Sequence, residues 1–578
     1  MRQQTIDRFF SGRMFRRQFF PALVSAIVLS LGDVADGLVL GNRVGYIGLA
    51  AIALSMPVVQ VFNAIMNGFG IGGSVRFSQQ MAQGKREEAL ADFQGTFCVS
   101  LIAGAVFAVL GNLLIRPLLG LLGTVPEDGE LYDACRVYLG ITLLGTPMLF
   151  LNYLLNYYMK NDDLEKQASV AFTAGNVVDI SLNVLLVLVL RLDVAGAAIA
   201  TVAGQTVGTA ISVAVICRRK GTLKFSPMKP AFRSVFSSFT RGLSSSVEFL
   251  YSMIFLLIAN RLLLDSIGGI GIAVLDVVLS VSYFRMNLCD ATAKSSLPVI
   301  STYYGEYNED GMRLALSTAL RYALASSLIL AAAVFLFPDL ICRFFGLTEE
   351  KILTAGREAL RYFAVSIPLS SVGIMLANYY EARQSEKDTL LLSTLRGVLP
   401  VMMALIFMLS APERFWKLFV LSEAMTLAIF GLCKCFSSRP PFQRERIFRK
   451  TIFSRSEEIT ETTEEIGEFC QRWDAPVKQQ YIAAMAVEEI CVATLDNGFR
   501  GKEDGFIQLT MIALEDGSME LHIRDNADSF NPLAMEMNGA ATDEDVDFSA
   551  LGISAIKKKV KEFSYRHYQG FNTVIIRL

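Results

Sequence analysis

The stretch Leu122-Gly123-Thr124, followed by Arg136 and then Asn156-Tyr157-Tyr158, returns later in the chain as Phe345-Gly346-Leu347, Arg361 and Asn378-Tyr379-Tyr380. The offset stays near 220 residues and drifts by only a few positions. Upstream, Gly84-Lys85-Arg86 with Ala89-Leu90 has a looser echo in Asp310-Gly311 with Ala315-Leu316. Both copies lie in strongly apolar sequence. Internal duplication of a polytopic membrane segment is the mark of secondary carriers, whose substrate path runs between two related halves.

Composition agrees with a membrane chain. At 578 residues, 53% hydrophobic and with a mean hydropathy of +0.43, it is far too apolar for an ordinary soluble protein. Between residues 18 and 436 the sequence carries apolar runs of about 20 residues, the length that crosses a hydrocarbon core. From residue 440 onward it turns charged and periodic, like a soluble domain. The formal net charge of −2 averages a basic membrane part and an acidic tail, so it points to no nucleic-acid partner. Arg13, Arg16 and Arg17 precede a full-length span without a small-residue cleavage site, so no cleavable signal peptide is expected. The nine cysteines are scattered, and Cys433-Lys434-Cys435 is too close-spaced for a zinc pair, so buried free thiols are expected.

The apolar runs predict twelve spans, near 18–40, 48–72, 92–118, 134–158, 168–190, 195–217, 240–263, 268–298, 316–343, 357–380, 388–410 and 414–435. One set of alternate loops holds the cations Arg76/Lys85/Arg86, Lys160/Lys166, Arg218/Arg219/Lys220/Lys224, Arg313/Arg321 and Arg383/Lys387. The other set is short and neutral or acidic, as in Glu127/Asp128/Glu130 and Glu349/Glu350. The positive-inside rule therefore places both termini in the cytoplasm. Six spans per half make the halves enter from the same side, related by an axis along the membrane normal. The expected organisation is a cytoplasmic tail over 1–17, an N-lobe over 18–217 and an inter-lobe loop over 218–239. A C-lobe over 240–436, a basic linker over 437–452 and a soluble domain over 453–578 complete it. The linker holds Pro440-Pro441, and its cations can touch anionic headgroups of the bilayer. The soluble region reads helix 456–472, helix 475–497, strands 506–513 and 518–525, helix 551–562 and strand 572–577, a small α+β sandwich.

Charge inside a span is costly, so each such residue is a functional candidate. Asp33 and Asp36 lie one turn apart in the first span, about 24–29 Å from Arg17 at 1.5 Å per residue, in the outer half. In the fifth span Asn176, Asp179 and Asn183 occupy i, i+3 and i+7, one polar stripe. A carboxylate in a low-dielectric setting can alternate between occupied and released states, which suits a proton or cation site. The plainer alternative makes these groups partnered structural carboxylates in a water-filled vestibule. In the second half Glu248 lies in the seventh span, and Asp276, Arg285 and Asp290 lie in the eighth as a charge network. An unpaired guanidinium there would be very costly, so Arg285 is expected to pair structurally with Glu248 or Asp290. Glu423, late in the last span, has no decided role. The Asn-Tyr-Tyr repeats end the fourth and tenth spans, where tyrosines are expected as interfacial anchors.

Several stretches carry a resemblance. They are Val34-Ala35-Asp36-Gly37-Leu38-Val39-Leu40-Gly41, Gly68-Phe69-Gly70-Ile71-Gly72-Gly73-Ser74, Gly84-Lys85-Arg86-Glu87-Glu88-Ala89 and Gly196-Ala197-Ala198-Ile199-Ala200-Thr201. With them, residues 15–436 resemble the MATE (multidrug and toxic compound extrusion) transporters, on the MepA and DinF-like bacterial branch. The resemblance implies an all-α polytopic protein of two six-helix lobes in the bacterial cytoplasmic membrane. It implies export of amphipathic, often cationic small molecules, coupled to H⁺ or Na⁺. By matching position, Asp36 and Asp179 would be N-lobe coupling carboxylates, and Glu248 resembles an acidic residue that the NorM branch places in its seventh span. Asp33, Asp276 and Arg285 add charge where family members are usually neutral.

The tail has a resemblance of its own, carried by Ala486-Val487-Glu488-Glu489-Ile490-Cys491-Val492, Asp525-Asn526-Ala527-Asp528-Ser529-Phe530-Asn531-Pro532-Leu533 and Ala550-Leu551-Gly552-Ile553. It resembles the GHKL-type ATP-binding fold of the anti-sigma-factor serine kinases. Glu489 and Asp525 match the family's activating carboxylate and adenine-reading Asp, and Gly552 keeps one glycine of the phosphate loop. The Mg²⁺-binding Asn is replaced by Ala493, and two further glycines by Ala527 and Ala550. Alanine offers no metal-binding oxygen, and a β-carbon impedes close approach of the backbone to a nucleotide. Weak or absent binding of ATP and Mg²⁺ is therefore expected, with the domain acting as a regulatory or protein-binding module rather than a kinase. Two other readings stay open. One is a membrane-tethered signalling protein whose tail captures a cytoplasmic regulator of the anti-anti-sigma type. The other is a lipid-linked sugar flippase of the same superfamily.

Overall fold

The computed structural model describes residues 2–578 except 83–84, 163, 219–222, 226–231, 384, 438–443, 454–455, 500–504, 515, 528–547 and 569–570. The membrane part is built from α1 (Arg2–Val44), α2 (Tyr46–Ala82), α3 (Arg86–Leu113), α4 (Ile115–Leu122), α5 (Glu130–Asn161), α6 (Glu165–Asn183) and α7 (Asp193–Cys217). A second set follows as α8 (Phe232–Ile267), α9 (Gly269–Gly305), α10 (Glu309–Leu336), α11 (Pro338–Phe344), α12 (Glu350–Ala382), α13 (Glu386–Ser410) and α14 (Leu418–Ser437). Among the described residues, eleven helices are long and apolar enough to cross a membrane. The expected first span, 18–40, lies in α1, a further long helix outside those eleven.

The repeat that marks the sequence has a structural counterpart. Gly123 ends α4 with φ +108°, and Gly346 follows α11 with φ +77°, both in the left-handed region that favours glycine at a helix end. Gly346 has a second constraint, since a β-carbon there would run into the backbone of Gly41 and Asn42 near the end of α1. Pro147 in α5 and Pro368 in α12 stand at equivalent places, each removing a helical hydrogen bond. In each Asn-Tyr-Tyr repeat one tyrosine departs from the anchor role expected of it. Tyr158 is fully buried, packs on Phe77 and Phe93, and donates to Thr96 Oγ1 at 3.3 Å; Tyr379 is buried too. Apolar partners on α2 and α3 draw the Tyr158 ring into the core, away from any interface.

The chain divides into two compact units, one over Phe19–Lys294 and Ala319–Phe436, the other over Met1–Gln18, Ser295–Thr318 and Ser437–Leu578. In the membrane unit α2 packs along α8, α6 along α7, and α5 against α2, α3 and α7.

The second unit contains the soluble domain. It is a five-stranded antiparallel sheet ordered β1 (Ile447–Ile452), β2 (Ile507–Ala513), β3 (Met519–Asp525), β5 (Phe571–Arg577), β4 (Glu562–Tyr568). Three helices accompany it: α15 (Ser456–Arg472), α16 (Val477–Ala493) and α17 (Phe548–Lys559). Ile507, Leu509 and Met511 of β2, Leu521 and Ile523 of β3, and Val574 and Ile576 of β5 share one core with Ile466, Ala486, Val487, Ile490 and Ile556 of the helices. The two-residue period of the strands turns their alternate side chains onto this core. The sheet has two strands more than expected. β1 closes the segment read as a linker, because Ile447 and Ile452 bracket an Arg-Lys pair whose charge hides the strand pattern. β4 follows a helix that ends at Lys559 rather than at 562, and pairs with β5 along seven residues.

Candidate functional site

Two clusters of ionisable groups, opposite in sign, lie on the spans of the membrane unit. The first gathers on α1, α6, α7 and α9. Asn183 donates its side-chain amide to Asp36 Oδ1, and Thr201 Oγ1 donates to Asp36 Oδ2 at 3.3 Å. Asn183 is the last α-helical residue before a π-helical turn, Val184–Val189, an irregularity that often re-aims functional side chains. Asp179 stands one turn before Asn183, within reach of Asp36 and Thr201, with Oδ1 buried and unpartnered among the described residues. Its position follows from close packing of α6 on α7. A β-carbon on Gly204 would lie 2.8 Å from Asp179 Cβ and 2.7 Å from Gly175 O, so only glycine lets the two backbones approach this far. Asn176 is half-buried on the same helix. The side chain of Asp33 lies outside the described residues.

Asp276, expected with Arg285 and Asp290, turns up here instead. It is 3% exposed, and a β-carbon on Gly37 would stand 3.5 Å from its Oδ2, so it abuts α1 beside Asp36. Tyr138 on α5, 8% exposed, is within electrostatic reach of Asp36, Asp179 and Asp276 together. Neither Tyr138 nor Thr201 was singled out as a site residue in the sequence. Polar residues of these types are too common in spans to stand out without their neighbours.

The second cluster lies in the C-lobe. Arg285 Nη1 stands 4.0 Å from Glu423 Oε1, and Arg396 Nη2 stands 3.7 Å from the same oxygen. The expected partners of Arg285 are therefore replaced. Glu248 is exposed, Asp290 is half-buried five residues further along α9, and Glu423 of α14 takes the ion-pair position. Arg396 lies within the apolar run 388–410 and carries the same sequence signal as Arg285, a charge inside a span.

In the soluble domain the expected nucleotide residues are largely turned toward each other. Asp525 is 4% exposed, and its Oδ1 accepts from Asn572 Nδ2 at 2.7 Å and from the Ala527 amide at 2.9 Å. Asn572 in turn accepts from Tyr565 at 2.8 Å. A β-carbon on Gly552 would fall onto the Glu489 carboxyl group, so this carboxyl fills the space beside the glycine. Burial lifts Glu489 above its ordinary value, and the charge of Glu488 adds to the rise. Ala493 is fully buried and has no side-chain oxygen to offer beside Glu489. Among the described residues, position 493 thus supplies no Mg²⁺-binding side-chain oxygen beside Glu489. The segment from Asp528 to Asp547 lies outside the described residues.

The face of the sheet away from its helices holds a second arrangement that the sequence did not announce. Arg524 on β3 pairs with Glu306 at 2.8 Å, with side chains 4% and 5% exposed. It also donates to Gln508 at 3.1 Å and lies over the Tyr303 ring at 5.2 Å. Arg449 on β1 donates to Asn308 Oδ1 at 3.2 Å and to the carbonyls of Glu306 and Tyr307. Residues 303–308 close α9 and lead into α10, so the sheet grips the connection between two C-lobe helices.

Comparison with known proteins matches two family models to the chain. The MatE family model matches residues 21–185 and again 242–406, and the model of the histidine kinase-like ATPase domain matches 453–578. The multidrug export protein MepA of Staphylococcus haemolyticus is 21% identical over 383 residues, covering 64% of this chain and 82% of that protein. An inward-facing multidrug resistance MATE family transporter of the MOP superfamily superimposes with TM-score 0.63 at 21% identity, over 70% of this chain and 94% of that one. The MATE multidrug transporter DinF-BH gives TM-score 0.59 at 21% identity, over 74% and 96%.

Proposed function

Since this chain belongs to the MATE family of multi-pass membrane transporters, we propose that it is a cation-coupled antiporter exporting amphipathic cations across a bacterial cytoplasmic membrane. The observation that carries this reading is the gathering of Asp36, Asp179 and Asp276 around Tyr138, from helices of both lobes. Three carboxylates that close together cannot all stay charged in a low-dielectric setting without a compensating cation, so protons or Na⁺ compete there with a cationic substrate. Such competition is the thermodynamic content of antiport. The multidrug export names of the relatives support the substrate class.

The soluble domain is read as a regulatory module without kinase activity, with both chain termini in the cytoplasm. The buried ion pair between Arg524 and Glu306 supports this, because it ties the sheet to a loop between transport helices rather than to a nucleotide. Regulation requires that the domain favour one transport state over another, and the α9–α10 connection is the place where that difference would be felt.

Everted vesicles test the transport reading. Uptake of ethidium should follow an imposed proton or sodium gradient, and Asp179→Asn should abolish that response. Uptake indifferent to both gradients would rule out coupled antiport.

A further inference from the structure

We propose that Arg285 and Arg396 form an oxyanion-binding site in the C-lobe, taking the carboxylate or phosphate group of an amphipathic molecule. The cluster combines two guanidinium groups with one carboxylate, which leaves one positive charge uncompensated. Among the described residues, Glu423 is the one carboxylate within ion-pair distance of either arginine. Its Oε1 is shared at 4.0 and 3.7 Å. Both separations are well beyond the roughly 2.7–2.9 Å of a charge-assisted hydrogen bond. Glu423 thus holds the two arginines near each other without saturating either.

The unused bonding capacity is specific. Arg285 Nε, Arg396 Nε and Glu423 Oε2 are buried and unpartnered among the described residues. Besides Glu423, the polar partners of the two arginines among the described residues are hydroxyls, with Arg285 donating to Ser282 at 3.0 Å and Arg396 to Ser370 at 3.4 Å. Gly373 of α12 faces the cluster, and a β-carbon added there would lie 3.6 Å from Arg396 Nε and 3.7 Å from Glu423 Oε2. The missing methyl leaves room beside the guanidinium. A planar guanidinium offers donors in a fork that matches an oxyanion, and two forks on different helices can hold one such group between them.

A net-positive cluster within a membrane span is unfavourable unless something neutralises it. An oxyanion does this directly. The acidic cluster lies on another stretch of α9, nine residues from Arg285 to Asp276, or about 13.5 Å at 1.5 Å per residue. The two poles together suit a molecule that carries an oxyanion as well as a cationic end, or an acidic lipid headgroup at the C-lobe pole alone. This deepens the antiporter reading by naming a second group on its ligand. It rests on that reading only where the ligand is called a substrate.

The test is equilibrium titration of the purified full-length protein with octyl phosphate, followed by melting temperature, with inorganic phosphate and octyltrimethylammonium as controls. Octyl phosphate should stabilise the wild type saturably. Arg285→Gln and Arg396→Gln should each weaken that binding by about tenfold or more, the scale of one lost charge-assisted hydrogen bond. Glu423→Gln removes the competing carboxylate and should tighten binding, an effect that a purely structural ion cluster would not give. Repeating the titration in nanodiscs with and without phosphatidylglycerol separates the sources. Competition by the lipid assigns the site to a headgroup, and no competition assigns it to a soluble amphipath. Binding equal in the wild type and all three variants, or absent from both the wild type and Glu423→Gln, would overturn the proposal. No gradient is applied, so a failure here is distinct from a failure of ethidium transport.

Discussion

Asp36 is held by two donors from two other helices, Asn183 and Thr201, while Asp179 beside it keeps a buried oxygen without a partner among the described residues. On the proposed antiport mechanism, that asymmetry would leave Asp36 fixed in place and Asp179 open to an ion. Asn183→Ala deletes one donor at a cost in stability of about 1–3 kcal/mol, the range for leaving a buried acceptor unsatisfied. Its melting temperature should fall modestly, whereas gradient-driven ethidium uptake should fall severely. In the soluble domain Glu489 supplies a pH test. Its carboxyl lies above the ordinary 4.5 in the folded state, so its ionisation opposes folding. The penalty is absent below the ordinary value and present once pH exceeds the raised one. Glu489→Gln should therefore raise the melting temperature of the domain at neutral pH and change it little at pH 4. A fall at neutral pH would show that the ionised carboxylate stabilises the fold. The individual carboxylates were legible because a charge in an apolar run stands out locally. Their grouping was not, since Asp276 meets Asp36 across 240 positions of sequence, and only the packed helices bring them together.

At the scale of helices and strands, the close approach of α6 and α7 sets the position of Asp179. Gly204→Ala would place a methyl group against the Asp179 backbone and the Gly175 carbonyl. Forcing those helices apart should cost about 1–3 kcal/mol, as overpacking of a filled interior does. Melting temperature and ethidium uptake should drop together, and unchanged values of both would refute the packing account. The long helices were readable from twenty-residue apolar runs, whose physical requirement is simple length. Strand β1 was not, because three of its six residues, Arg449, Lys450 and Thr451, are polar. Arg449 becomes interpretable only through its bonds to residues 306–308, and Lys450 through its pairs with Glu461 and Glu465 on α15.

For the molecule as a whole, a duplicated carrier is joined to a domain in which Asp525 is buried against Asn572 and whose sheet holds the α9–α10 connection. Breaking a buried ion pair by removing one partner typically costs about 3–5 kcal/mol, so Arg524→Ala should release the sheet from residues 303–308. Limited proteolysis of the full-length protein should then cut near Glu306, and the rate of ethidium transport should change while gradient dependence persists. An unchanged cleavage pattern would mean that the pair is not what holds the contact. Mg²⁺-ATP should leave the melting temperature of the full-length protein unmoved, whereas a large Mg²⁺-dependent rise would restore the domain to nucleotide binding. The most direct test of coupled antiport is equilibrium binding of ethidium to the purified protein across a range of pH and, separately, of sodium concentration. One of these ions should weaken binding in the wild type, and Asp36→Asn should flatten the dependence. Ethidium affinity independent of both ions in the wild type would contradict it.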